Sequence, residues 1–223
     1  MLQTGKADGL IVIGQAGMAG RLDEIGPLAR KVVVWGGRAG DMNYTLVGSD
    51  NVEGGRLAAD HLLSLGRQQI LFLGPVNLPE VKLRHQGFLK AHAEHGQDWN
   101  ENLILDVEFG AKNAFEGVIQ LLESGRKFDA IFAASDVLAM SALLALNARG
   151  VRVPEDIAVV GYDNIAQAGM ATPSLTTIDQ NIAQGGQLMV EKLLAQLAGE
   201  TVDSELTSTQ LIVRGSSGGF MQA

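Results

Sequence analysis

"VPEDIAVVGYDN", Val153 to Asn164, decides how the rest of the chain is read. A Val-Pro-Glu-Asp turn signal leads into an apolar run, Ile157 to Val160, which reads as a strand buried on both faces. Gly161, Tyr162 and Asp163 follow, leaving a carboxylate where the strand runs out. Burying a carboxylate is costly unless something donates to it. Two readings stand at this point: a local Asx turn satisfies Asp163 from its own backbone, or a ligand does.

The same pattern recurs outward from this stretch. "GLIVIG", "KVVVWGG", "QQILFLGP", "NLILDVEF" and "FDAIFAAS" are further strand candidates rich in Val, Ile, Leu and Phe. Between them, "NVEGGRLAADHLLSLG", "EVKLRHQGFLKAHAEHG", "AFEGVIQLLESG" and "DVLAMSALLALNARG" carry apolar residues at helical spacing, with Gly66, Gly96 and Gly150 placed as C-caps. Apolar strands alternating with helices predict an α/β fold whose parallel sheet is covered on both faces. After Pro173, "SLTTIDQ" reads as an extended connector, a long helix runs from about Ile182 to Ala198, and "ELTSTQLIVR" looks like strand.

Bulk properties exclude several classes. The chain of 223 residues is 46% hydrophobic and 19% charged, which predicts a soluble globular protein. A net charge of −8 argues against a surface that tracks phosphates. There is no cysteine, so disulfides and thiolate metal sites are absent. "MLQTGKADG" has no apolar core of a signal peptide, and no run is long enough to span a bilayer. His85, His92 and His95 lack metal-ligand spacing and read as surface residues. "GSSGG" matches a nucleophile elbow only formally, since no helix follows it. Nothing assembles a nucleophile with its base.

In doubly wound sheets, ligands sit outside the carboxyl ends of the strands. That rule collects Gly36 and Arg38, Phe109, Ser135 and Asp136, and Asp163. Acids, an aromatic and a basic group suit a neutral, hydroxyl-rich molecule. Plainer readings remain open beside this one. Asp136 starts a helix and is a natural N-cap, Arg84 sits on a helical pattern with Lys82 where a solvated face is the default, and Phe109 is equally a core residue.

Followed by "TPSLTTIDQ", the opening stretch resembles the signature of the LacI/GalR family of bacterial transcription regulators. "ADGLIV", "SDNVEGGRLAADHLLSLG", "ILFLGP", "RHQGFLKA", "AIFAASDVLAMSALLALNARG" and "LIVRGSS" agree in order and spacing, so the resemblance covers nearly the whole chain. Periplasmic sugar-binding proteins of transport systems share the architecture and are the alternative, but the signature is nearer the repressor branch.

The resemblance implies two Rossmann-like lobes of the periplasmic-binding-protein-like type, joined by three crossover strands near Gly48–Asp50, Ile178–Gln180 and Thr209–Leu211. Residues 1–48 with 180–209 would form the N-terminal lobe, and 49–179 with 210–223 the C-terminal lobe. It further implies that Arg84, Phe109, Ser135, Asp136, Asp163 and Gln180 bind an effector, with the two acids favouring an uncharged saccharide. Neither enzyme activity, a cofactor nor a metal is implied. The expected partners are a second copy of the chain and, through a helix-turn-helix headpiece, operator DNA; the expected location is cytoplasmic. The chain begins well inside the family's first lobe, so the headpiece and that lobe's opening βαβα portion are expected to be missing. For the dimer, Leu138, Met140, Leu143, Leu144 and Leu146 spread around one helix, more than a single sheet-facing stripe requires.

Overall fold

A computed structural model of the chain describes residues 6–14, 28, 31–37 and 43–218. Arg38 lies outside the described residues. These fall into two compact units. One takes the described residues up to Asn51, with Leu78–Glu80 and Asn181–Ser208; the other takes Val52–Asn77, Val81–Gln180 and the described residues from Thr209 onward.

The first unit holds β1 (Leu10–Ile13), β2 (Val32–Trp35) and β3 (Thr45–Ser49), paired in parallel in that order. Its long helix, Ile182–Leu197, packs Met189, Leu188 and Leu193 onto Val33, Val47 and Trp35. Val32, Val34, Tyr44 and Leu46 form a second cluster with Leu10 and Val12. Neighbouring valines of β2 thus enter different clusters, as the two-residue period of a strand requires. Glu205–Thr207 adds a fourth parallel strand beside β3.

The second unit is built on α1 (Asn51–Ser64), β4 (Ile70–Leu73), α2 (Pro79–Glu94), β5 (Ile104–Leu105), α3 (Ala111–Glu123), β6 (Ala130–Ala133) and α4 (Asp136–Ala148). It continues with β7 (Ala158–Asp163), the short α5 (Ala166–Met170) and β8 (Thr176–Asp179). The first unit's Ile182–Leu197 helix is then α6 and its Glu205–Thr207 strand β9, and Gln210–Ile212 is β10. The sheet order is β10-β8-β7-β6-β4-β5, parallel throughout except that β10 runs antiparallel to β8. Ile70–Leu73 and Ala130–Ala133 are wholly buried, as strands covered on both faces must be.

The α/β class with parallel sheets, read from the sequence, is therefore the observed one. Gly66, Gly96 and Gly150 all have positive φ at helix ends, where a residue without a Cβ fits. The chain leaves β4 in one direction toward β5 and returns past it to β6, so a topological switch point lies between β4 and β6. Among the described residues, no helix is long and apolar enough to cross a membrane.

Candidate functional site

Arg84, Ser135, Asp136, Asp163 and Gln180 come together at the carboxyl ends of β4, β6, β7 and β8. Arg84, on α2, is buried rather than solvated, with 5% of its surface exposed. Its Nη1 donates to the carbonyl of Ala134, just past β6 at the switch point. Its guanidinium carbon stands 3.7 Å from the centre of the Tyr162 ring, a cation–π contact.

Asp163 is half-buried at the end of β7 and is not satisfied by a local Asx turn alone. Gln180 Nε2 donates to its Oδ1 at 2.5 Å. Burial pushes its pKa up to about 6, against the opposing pull of Arg84, Gln180 and the backbone N–H of Asp136. Its φ of 119° and the φ of 53° at Asn164 give two successive non-glycine residues a positive φ, which side chains rarely adopt.

Asp136 begins α4 but is not its N-cap. The N-cap is Ser135, whose hydroxyl accepts from the Leu138 N–H at 3.3 Å. Asp136 itself is fully buried. Its Oδ1 accepts from Thr177 Oγ1 at 2.5 Å and its Oδ2 from the Ile165 N–H at 2.9 Å, tying α4 to β8 and to the start of α5. Burial raises its pKa to about 7; the two donors oppose this and the Asp163 charge adds to it. A Cβ on Gly161 would lie 2.3 Å from Asp136 Oδ1, so the glycine in "GYD" makes room for this carboxylate.

Phe109 stands apart from these contacts, 45% exposed between β5 and α3. His95 is exposed, as read from the sequence, but His85 and His92 depart from the surface reading. His92 is buried and His85 half-buried in a cluster with Phe72, Phe88 and Trp99, where burial lowers both pKa values. Trp99, just past the helix that carries them, roofs these rings and pins itself by donating Nε1–H to Ile70 O at 2.9 Å. Among the described residues, no group of three or more His, Asp or Glu is arranged to hold a metal ion.

Glycines set where Arg84 stands. A Cβ on Gly55 would fall 1.9 Å from Arg84 O, and one on Gly87 would fall 1.8 Å from Val52 O, so α1 and α2 cross with their backbones touching. A Cβ on Gly54 would meet the Tyr162 hydroxyl at 2.3 Å. Tyr162 was not among the residues singled out from sequence. An aromatic ring at the end of an otherwise aliphatic strand was its only signal.

Residues 59–217 match the periplasmic binding protein-like domain family. The chain belongs to that family. It is 32% identical over 210 residues to the HTH-type transcriptional repressor PurR of Photorhabdus laumondii, covering 92% of this chain and 61% of the relative. With the HTH-type regulator CelR of Thermobifida fusca it shares 34% identity over 189 residues, 82% of this chain and 56% of the relative. The chain thus spans about three fifths of the length of the curated relatives it matches. Among solved structures, a CelR–cellobiose complex superposes with a TM-score of 0.86 at 32% identity, covering 96% of this chain and 67% of that one. A LacI-family regulator from Enterococcus faecium with bound ribose gives a TM-score of 0.85 at 28% identity, covering 97% and 81%. The resemblance to LacI-type regulators drawn from the sequence motifs is borne out.

Proposed function

We propose that this chain is the effector-sensing part of a LacI-type transcription regulator and that its second unit binds a neutral saccharide through Arg84, Asp163 and Gln180. The observation that carries the reading is the pairing of a buried, ring-backed guanidinium with a carboxylate at the carboxyl edge of one parallel sheet. Arg84 donates to ligand hydroxyls, Asp163 accepts from them, and Gln180 offers an amide beside the acid. Ser135 and Phe109 supply a further hydroxyl and an apolar ring face, while Asp136 holds the site's frame from behind. The sugars held by two structural neighbours, cellobiose and ribose, favour a saccharide.

The role is binding and not turnover. In the intact regulator, ligand binding would shift operator affinity of a paired DNA-binding headpiece, which requires different affinities for two conformations. Dimerisation fits the α4 surface: Leu138, Leu143 and Leu146 are buried within the unit, whereas Val137 and Leu144 remain exposed.

Calorimetry of the chain against cellobiose, ribose and other neutral sugars tests the reading. One of them is expected to bind, with Asp163→Asn and Arg84→Ala each weakening it about tenfold to a hundredfold, since hydrogen bonds to charged groups contribute roughly 1.5–3 kcal/mol. Unchanged affinity in both variants would refute the site.

A further inference from the structure

The turn from Asp163 to Ile165 carries the site's acid, and every residue in it is tied down from another element. Ile165 N–H is held by Asp136 at 2.9 Å and Asn164 N–H by Thr177 Oγ1 at 3.3 Å. The Asn164 side chain is held at both ends: Nδ2 donates to Asp179 Oδ2 at 2.8 Å, and Oδ1 accepts from Arg214 Nη2 at 2.8 Å. Arg214 comes from far along the chain, just past β10. Its other terminal nitrogen, Nη1, donates to Leu175 O at 2.7 Å, and its backbone N–H to Thr176 Oγ1 at 2.8 Å. A planar fork with one prong on the β8 entry and the other on Asn164 sets the distance between them.

The turn needs such holding. Asn tolerates a φ of 53°, but Asp163 at 119° lies well outside the left-handed basin near +50 to +70°. Strained positions of this kind persist only where surrounding contacts over-determine them, and they gather at ligand clamps. Releasing Asn164 lets Asp163 relax toward ordinary backbone angles, and its carboxylate then turns away from Gln180.

We infer that Arg214 is a positioning residue of the effector site: through Asn164 it holds the strained turn that aims the Asp163 carboxylate. The inference rests on the reading of Asp163 as an effector-binding group. Arg214 touches no ligand in this scheme; its hold on the Asp163 turn runs by way of Asn164, while its charge separately pulls the Asp136 pKa down. The Leu175 bond is a separate contribution to stability.

A double-mutant cycle separates the two. Arg214→Ala, Asn164→Ala and the double variant are compared with the parent by carbon-13 NMR titration of the Asp163 carboxyl in the unliganded chain, by cellobiose calorimetry, and by thermal melting. Each single variant is expected to move the Asp163 titration down from about 6 toward the ordinary carboxylate value of 3.8. Each also weakens any measured cellobiose binding tenfold or more. The double variant is expected to match Asn164→Ala in both site readouts, while melting shows an additional loss from Arg214→Ala. An Asp163 titration unmoved by Arg214→Ala, or site effects that simply add, would overturn the inference. Should Arg214→Ala not fold, Arg214→Lys, which keeps the charge but not the fork, is read by the same titration. If instead Asp163→Asn leaves cellobiose binding unchanged, the effector reading fails for that sugar, and the ligand-free titration still decides whether Arg214 holds the turn.

Discussion

The Arg84 guanidinium carbon stands 3.7 Å from the centre of the Tyr162 ring, and that ring's hydroxyl is in turn backed by Gly54, where an added Cβ would lie 2.3 Å away. The cation is therefore placed by a ring, and the ring by a missing side chain. Gly54→Ala is expected to displace Tyr162 and cost about 1–3 kcal/mol of stability, as overpacking does. Tyr162→Phe in the same chain removes the nearest clashing atom and should recover part of the loss. Urea unfolding of the two single variants and the double variant checks this; strictly additive losses would contradict it.

Ligand affinity should depend on pH through Asp163. Its pKa sits near 6, and the form that accepts from hydroxyls is the ionised one. Affinity is expected to be flat above pH 7 and to fall as pH drops through 6, approaching about tenfold per unit for one proton. Asp163→Asn should bind weakly with no such fall. Calorimetry with the bound sugar from pH 8 to pH 5 measures both.

Asp136 makes stability decline with rising pH. Its native pKa of about 7 exceeds its ordinary 3.8, so between these values the native state carries more proton than the unfolded chain. Stability contributed by the neutral acid is complete below the lower value and is lost as pH rises through the upper, with a slope of at most about 1.4 kcal/mol per pH unit. Asp136→Asn removes this slope. The stability of the parent relative to Asp136→Asn is expected to worsen from pH 5 to pH 8 in chemical denaturation.

The buried histidines act in the opposite sense. Burial holds His92 below its ordinary 6.5, and its Nε2 has no hydrogen-bond partner among the described residues, so the native state resists its protonation. As pH falls below 6.5 the unfolded chain takes up the proton first, and stability is lost. His92→Phe should keep the packing with Phe88 and Trp99 and shrink the loss between pH 7 and pH 5. Denaturant midpoints at the two pH values read it, with His61 and His85 supplying what remains of the acid limb.

The exposed α4 residues offer a test of self-association. Leu144 is 64% exposed beside Val137, and Leu144→Glu would place a charge on this apolar face. Light scattering is expected to show dimers of the parent chain and a shift toward monomer in the variant. A clean monomer of the parent at high micromolar concentration would contradict the dimer.

What could be read in advance follows from how each element is stabilised. β4, β6 and β7 announce themselves because a parallel strand covered on both faces is apolar at every position. β3 was hidden by Thr45, Gly48 and Ser49, which are buried among backbone partners instead of in an apolar run. "ELTSTQLIVR" looks like strand by pattern, and only the family resemblance put a crossover within it; β9 and β10 lie in different sheets, and periodicity says nothing about which neighbour supplies the hydrogen bonds. Topology alone put Asp163 at a ligand edge, whereas Arg84, on its own pattern a solvated helical residue, was singled out only by the family resemblance. The grip of Gln180 on Asp163, the double engagement of Asp136 and the reach of Arg214 to Asn164 join residues far apart in sequence, and no local pattern encodes them. The surface reading holds for His95 and fails for His85 and His92, because both sit in an aromatic cluster completed by Trp99 from beyond the end of their helix.

The contact between α1 and α2 leaves no slack. Gly55 lies against the backbone of Arg84, and Gly87 lies against that of Val52, with no side chain in between to bend or change rotamer. Two backbones meshed at two points behave like gear teeth without backlash. Val52 is also the first residue of its unit, immediately after the chain leaves the other. Any rotation of the opening turn of α1 therefore carries the main chain of Arg84 with it, and a ligand seated on Arg84 in the proposed site would resist that rotation with the same stiffness.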